Sequence, residues 1–390
     1  EFQHHLLKEH PRTNVTAGSL YLYDRQAADE LKKMADEAAQ VRATKPVERF
    51  VRALSEVPGQ LPTTHVFARG DFEQPTDEVA PQELTILQTA NQDTTADVSL
   101  PVDDPELPTS GRRLALAQRL TDGSHPLTAR VLVNRVWLHH FGRGIVDTPS
   151  DFGTLGSPPS HPELLDWLAA EFVESDWDLK RLHRLIMTSR AYRQVSRRTP
   201  ELDAIDPDNK LLGRMNIRRQ EAEAVRDACL AVAGVDERQL YGEPIPIRKN
   251  DVGQVVVGVD TTDSAGRPTG KVVDLLGQEF RRSLYVQVRR TRPLALLSTF
   301  DGPAMEPNCE QRAASTVAPQ ALMLMNSEFA VAIGERFADR VMREAGSAPR
   351  AQTAHAWQLA FTVDATPLEL DRAERFVRDL TEDFRRRDEA

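Results

Sequence analysis

Residues 134–196 read NRVWLHHFGRGIVDTPSDFGTLGSPPSHPELLDWLAAEFVESDWDLKRLHRLIMTSRAYRQVS. A helix passes through Asn134, Arg135, Trp137, His139 and His140 and stops at Gly142, because glycine accepts the left-handed backbone at which helices end. Pro162 opens a second helix, with its ring in the first turn where no N–H is needed. Leu164, Leu165, Leu168 and Phe172 recur there at helical spacing and form one apolar face. Asp178 caps a third helix over DLKRLHRLIMTSRAYRQ. Between the first two lies FGRGIVDTPSDFGTLGSPPSHP, a long polar loop dense in Gly and Pro. This stretch sets the fold class: mainly α, or α+β, with a helical core, a small antiparallel β element and long Gly/Pro-rich loops.

Working outward, Arg112–Leu120 is helical and Pro126 falls in the first turn of the helix that follows. Residues 218–234 form a further helix ending at Gly234. Residues 241–290 turn to β character, with Val255–Val257 and the alternating Ser283–Val288 as the best strands. From Ala318 the chain is helical again. Toward the start, Asp24–Thr44 is a helix with a weak apolar stripe. Thr64–Phe67 is a short strand that leads into a Pro-rich extended crossing, and residues 90–110 have the composition of a linker. The expected organisation is therefore a helical linker or hairpin (1–61), an extended entry segment and linker (62–110), a helical core with a His/Asp-rich loop (111–235), a β-containing insertion (236–300) and a C-terminal helical region (301–390).

The 390 residues carry 40% apolar and 28% charged side chains, enough for ordinary globular cores, and no run approaches a membrane span. The chain opens at Glu1 without a basic-then-apolar leader, and is expected to be part of a longer or processed protein. The net charge of −10 argues against a general nucleic-acid binder. Of the 49 basic residues, 41 are Arg and 8 are Lys. Arginine forks suit carboxylate, sulfate and phosphate, although a GC-rich coding sequence accounts for most of them. The two cysteines, Cys229 and Cys309, exclude a cysteine-rich zinc module, and a bridge between them is open in an oxidising compartment. There is no C-x-x-C-H for haem, and no P-loop, H-E-x-x-H, G-x-S-x-G or G-x-G-x-x-G.

Three constellations carry chemistry. The first gathers Asn134, Arg135, His139, His140, Asp147, Asp151, His161, Glu163 and Asp166 around the long loop, and such loops are commonly functional. Its spacing matches no metal motif: His139 and His140 point about 100° apart on a helix, so a hydrogen-bonding, loop-fixing role is favoured. The second places Arg289, Arg290 and Arg292 with Asp301, Glu310 and Arg312, either an anion pocket or an Arg–Asp network tying strand to loop. The third is Glu221, Glu223, Arg226 and Asp227 beside Arg218 and Arg219, for which a solvated charged helix face is the simpler reading.

The 134–196 run, RRQEAEAVRDA, RRSLYVQVRRTRPLALLSTFDGP with Cys309 and Arg312, STVAPQALMLMN, and the upstream THVFARGDFEQPTDEVAP together resemble the C-terminal domain of unknown function 1553 of planctomycete cytochrome c-associated proteins. The resemblance spans about residues 62–330. It implies a secreted or periplasmic multidomain protein whose relatives carry a c-type cytochrome-like module upstream. Any haem belongs to that module, and no cofactor is expected in this chain. The family has no established reaction, but its members are numerous in organisms that degrade complex polysaccharides. The expectation is a module that binds or processes acidic or sulfated polysaccharide. Arg289, Arg290 and Arg312 would meet the acidic groups, with Asn134, Arg135, His139, His140, Glu163 and Asp301 as further binding residues. If the module catalyses, His161 or Asp151 would be the general base. Two alternatives stay open: a structural or interaction module docking a c-type cytochrome partner, and a metal-dependent hydrolase. No nucleic-acid partner and no membrane span are expected.

Overall fold

A computed structural model describes residues 24–44, 53–57, 61–84, 87, 100, 103–104, 106–263, 267–304, 309 and 311–388. These contain twelve α-helices and three two-stranded antiparallel sheets, a mainly α fold with a small β element. The chain divides into two compact units, residues 1–85 with 96–117, and residues 86–95 with 118–390. Much of the segment 90–110 that reads as a linker lies outside the described residues.

In the smaller unit, α1 (Arg25–Ala43) starts where the Asp24 carboxylate accepts the Ala27 N–H at 3.0 Å. Strand β1 (Thr64–Phe67) does not lead into an extended crossing. It pairs with β2 (Pro75–Val79) in an antiparallel hairpin, Thr64 opposite Val79. The reversal is local: Asp71 accepts the N–H of Glu73 on its carboxylate and that of Gln74 on its carbonyl, closing a tight turn. Helix α2 (Arg112–Thr121) spans the sequence boundary between the units.

The larger unit is built on α3 (Thr128–Phe141), α4 (Pro162–Glu174) and α5 (Leu179–Thr188). Leu127 and not Pro126 stands at the N-cap of α3, and Gly142 ends it at φ 78°. Asp178 caps α5 by accepting the Arg181 N–H at 3.1 Å. Val133, Trp137 and Phe141 pack on Leu165, Leu168 and Phe172 and on Leu182 and Ile186, with Trp137 stacked on Phe141 at 4.2 Å. The loop from 142 to 161 adds Ile145 and Val146 to this core, so its peptide groups are taken out of water and need partners. Asn134, fully buried, supplies them: its amide donates to the Val146 carbonyl at 3.0 Å and accepts the Val146 N–H at 2.9 Å. Gly144 lets the loop come this close, since a Cβ there would sit 2.3 Å from the Val146 oxygen and 2.8 Å from Asn134 Nδ2.

Helices α6 (Pro200–Ile205) and α7 (Ala222–Ala233) precede two hairpins, β3 (Ile247–Lys249) with β4 (Val255–Val257), and β5 (Asp260–Thr262) with β6 (Pro268–Val272). Ser283–Val288 is not a strand. Ser283–Tyr285 forms a short 3₁₀ turn, and only a single bridge joins Val286 to Ile245. The reason is competition from side chains. Asp227 accepts the Ser283 N–H at 2.7 Å, and Arg226 donates to the Arg281 carbonyl at 2.9 Å, so these groups have no place in a ladder. The alternation of faces nevertheless holds: Arg281 and Ser283 are buried, while Arg282 and Leu284 are exposed.

The chain closes with α8 (Ala295–Thr299), α9 (Ala318–Asn326), α10 (Glu328–Ala345), α11 (Pro349–Phe361) and α12 (Pro367–Asp388). Cys229 and Cys309 are both free thiols, so the bridge left open by the sequence is not formed. Among the described residues no helix is long and apolar enough to cross a membrane.

Removing the Asn134 amide strands two buried backbone groups, so Asn134→Ala should lower the unfolding free energy by about 2–4 kcal/mol. Urea titration should show an earlier midpoint at unchanged slope. Gly144→Ala should be at least as damaging, because the crowded oxygen is backbone. A wild-type midpoint in either variant would show that the clasp does not hold the loop.

Candidate functional site

The end of α3 is where a site forms. A helix terminus leaves carbonyls without partners. Here Asn216 donates to the Phe141 carbonyl at 2.9 Å and Arg218 to the His139 carbonyl at 2.6 Å. The guanidinium therefore lies at the negative end of the helix dipole. These contacts lay the segment 216–221 across the helix end. The segment, the helix end and the described residues of 300–303, 309 and 311–314 enclose a cleft of about 640 Å³.

The far wall is fixed by Gln320 of α9, a buried amide. It donates to the carbonyls of Thr299 (3.1 Å) and Ser315 (3.2 Å) and accepts from Arg219 at 2.7 Å. Asp301, in the left-handed region at φ 60°, accepts the Ser315 N–H at 2.7 Å and its hydroxyl at 2.8 Å. Those hydrogen bonds hold its carboxyl below the usual range. Arg312 pairs with Glu223, and its guanidinium lies 3.8 Å from Glu221. Burial is the largest single influence and works against the Arg312 charge, but the carboxylates of Glu223 and Glu221 together hold the group above its ordinary value. Glu221 also faces His139, Oε1 to Nδ1 at 3.3 Å. The ion pairs Glu223–Arg312–Glu221 thus lead to the His139 imidazole at the cleft.

Of the residues expected from the sequence to bind ligand, His139, Asp301 and Arg312 come together here. Asn134 is in the core behind the site, as described. His140, next to His139, points elsewhere: its Nε2 lies 2.8 Å from His183 Nδ1, and its ring meets Tyr192 edge-on. Asp151 folds its own loop, accepting the Gly153 N–H at 2.8 Å and, on its carbonyl, the Thr148 hydroxyl. His161 is the N-cap residue of α4, with Nδ1 3.0 Å from the Ser160 hydroxyl. Glu163, in the first turn of α4, and Arg135 are exposed. Arg289 and Arg290 are exposed and do not line the cleft, and Arg289 donates to Gln287 at 3.2 Å. Among the described residues no three His, Cys, Asp or Glu side chains gather as a metal site requires.

From the third constellation Arg218, Arg219 and Glu221 also line the cleft, as does Cys309. The run containing the first three has a charged pattern that is indistinguishable from a solvated helix face. Its tertiary partners lie far along the chain: Glu223 with Arg312 is 89 residues distant and Asp227 with Ser283 is 56. Arg226 of the same run is buried, with its guanidinium on the carbonyls of Arg281 and Glu279. The simpler reading of a solvated face does not survive for these residues.

A family model described as PSD1, protein of unknown function (DUF1553), matches residues 112–377, more than half of the chain and the whole of the cleft. No curated protein and no solved structure matches.

The His140–His183 contact needs one ring to accept, so a proton on both rings is unfavourable. Burial, then the charges of His183, Arg218 and His139, lower the His140 pKa in the fold. The folded state consequently holds its proton less tightly than the unfolded chain, whose histidine titrates near ~6.5. The stabilisation is complete above that pH and is lost as pH falls through the depressed folded value. Denaturation midpoints measured from pH 7.5 to 5 should decline in the wild type and decline less in His140→Gln. Equal slopes would remove His140 as the cause.

Proposed function

The chain belongs to the PSD1 family of proteins of unknown function, and we propose that its arginine-walled cleft binds an acidic saccharide, one bearing carboxylate or sulfate groups. The observation that carries this reading is Arg218. Its side chain is exposed at the cleft and held in place by the His139 carbonyl, and among the described residues no carboxylate pairs with it. Arg219 beside it is tied to neutral groups, the Thr316 hydroxyl and the Gln320 amide. Arg143 and Arg312, by contrast, have Asp147 and Glu223 as counter-ions. Two guanidinium groups therefore face the opening with their charge uncompensated by direct pairing, in the geometry that suits forked hydrogen bonds to carboxylate or sulfate. An open cleft of about 640 Å³ has the size of a short saccharide site. In this reading Arg312 and Asp301 shape the wall, and Arg289 and Arg290 take no part. The family resemblance supports an extracytoplasmic setting in which such glycans are met.

One observation favours a catalytic version of the same reading. His139 has a carboxylate, Glu221, at its Nδ1 and is otherwise open to solvent, the arrangement of an oriented general base. His139 then replaces His161 and Asp151 as the base, and no metal is required for proton transfer.

Affinity electrophoresis through gels cast with sulfated, uronic and neutral polysaccharides tests the proposal. The chain should be retarded by an acidic class and not by neutral glycan, and the retardation should weaken as salt rises. Arg218→Gln should reduce the affinity about tenfold to a hundredfold, the worth of a hydrogen bond to a charged group, while Arg289→Gln should leave it intact. Equal retardation of Arg218→Gln and wild type, or none by any acidic glycan, defeats the reading. Where turnover of the retained glycan is found, His139→Gln and Glu221→Gln should each lower kcat by about a hundredfold or more with KM little changed.

A further inference from the structure

Residues 179–200 hold six arginines and one lysine and no aspartate or glutamate, in a chain whose acidic residues outnumber its basic ones 59 to 49. Two of the seven are neutralised: Arg181 pairs with Glu171 of α4, and Arg198 with Asp203 at 3.1 Å. The other five, Lys180, Arg184, Arg190, Arg193 and Arg197, are exposed, and among the described residues no carboxylate pairs with them. Helix α12, by contrast, sets Glu382 and Asp383 one turn before Arg386 and Arg387 and pairs them. A solvated helix face interleaves the two signs in that way. A tract of one sign repels itself, and a bound polyanion relieves the repulsion.

Three contacts join this tract to the cleft. His140, next to the cleft residue His139, has its Nε2 2.8 Å from Nδ1 of His183 on α5. Tyr192, beside Arg193, meets the His140 ring edge-on at 5.4 Å. Gln194 then donates to the Leu212 carbonyl at 2.7 Å, and the Met215 N–H donates to the Val195 carbonyl at 3.2 Å. Residues 212–215 run directly into the segment that carries Arg218 and Arg219 across the end of α3. On α5, Leu182 and Ile186 face the core. Lys180 and Arg184, four residues apart, therefore stand in one row on the outer side. Cationic side chains thus continue from the cleft mouth, past the two histidines, over α5 and residues 190–197.

We propose that the cleft is one end of an extended site for a polyanionic glycan, whose further sugars lie along Lys180, Arg184 and the arginines of 190–197. This rests on the reading of the cleft as an acidic-saccharide site and adds a length to it: the partner is a polymer. Charge complementarity selects a polyanion, and two features select glycan over nucleic acid. The path leads to forked guanidinium groups in a cleft of saccharide size. It offers no exposed aromatic ring on which bases could stack, because Tyr192 is turned onto His140 and Phe141.

Titration calorimetry of the full chain with heparin, which bears carboxylate and sulfate, tests this at two lengths, a tetrasaccharide and an eicosasaccharide. The long chain should bind more tightly and lose more affinity as salt rises. Lys180→Gln, Arg184→Gln and Arg193→Gln combined should weaken the eicosasaccharide about tenfold, the worth of three surface charge contacts. The same variant should leave the tetrasaccharide unchanged, whereas Arg218→Gln should weaken both. Eicosasaccharide binding unchanged in the triple variant overturns the proposal. So does an equal loss for both lengths, or no binding of either. Duplex DNA of matched charge that binds as tightly as the eicosasaccharide, and is indifferent to Arg218→Gln, also overturns it. Should the triple variant fail to fold, Arg184→Gln alone decides, by a smaller loss confined to the long chain. Tetrasaccharide binding that responds to Arg218→Gln, with no effect of the triple variant on either length, removes this proposal and leaves the cleft reading standing.

Discussion

Peptide groups that leave water must be hydrogen-bonded, and in this chain much of the buried backbone belongs to neither helix nor sheet. Side chains meet the demand. Asn134 pairs both groups of Val146, Asn209 bonds the Arg214 carbonyl and accepts its N–H, and Gln320 takes two loop carbonyls. Arg226 and Arg281 do the same with guanidinium groups, each 1% exposed, and Arg281 also lies 4.0 Å over the Tyr285 ring. Burial pulls the Arg226 pKa down, and Asp227 beside it opposes that shift. Five or so polar anchors thus stand where a larger sheet would otherwise do the pairing. An apolar residue of similar size in any of these places would leave those carbonyls without their donors.

The cleft is a by-product of the same logic. Asn216 and Arg218 come to the end of α3 because that helix needs its last carbonyls capped. Gln320 and Asp301 hold the opposite wall because the peptide groups of Thr299 and Ser315 need partners there. The series Glu223–Arg312–Glu221, ending at the His139 imidazole, then orders side chains whose individual ion pairs are worth little at a surface. Its contribution is orientation more than stability. The whole sequence is acidic at −10, yet the cleft is lined by four arginines (Arg143, Arg218, Arg219 and Arg312) against three carboxylates (Asp208, Glu221 and Asp301), so global charge is a poor guide to it.

The helices were legible because their punctuation is local. Asp24, Asp178, Pro162, Gly142 and Gly234 each act within four residues of their own position. The β1–β2 hairpin was half legible: β1 has strand residues, whereas Pro75–Val79 pairs through a turn organised by Asp71. Ser283–Val288 has the alternation of a strand, and burial follows it from Arg281 to Leu284 but not at Val286, which is buried; side chains from α7 occupy the groups a ladder would use. The candidate site was readable only in part, for the opposite reason. His139, Asp301 and Arg312 belong to runs that stand out, but Arg218 and Glu221 acquire meaning through partners dozens of residues away. Arg289 and Arg290 look alike in sequence to Arg312 and lie on exposed backbone outside the cleft.

The two unbridged thiols make the cleft chemically addressable. Cys229 lies on the inner side of α7, where burial pushes its pKa up and keeps it in the unreactive protonated form. Cys309 lies in the cleft wall, part-exposed, close to Arg312. A thiol-directed dye would therefore attach at one place without any engineering of the chain, and its emission would report whatever enters beside Arg218.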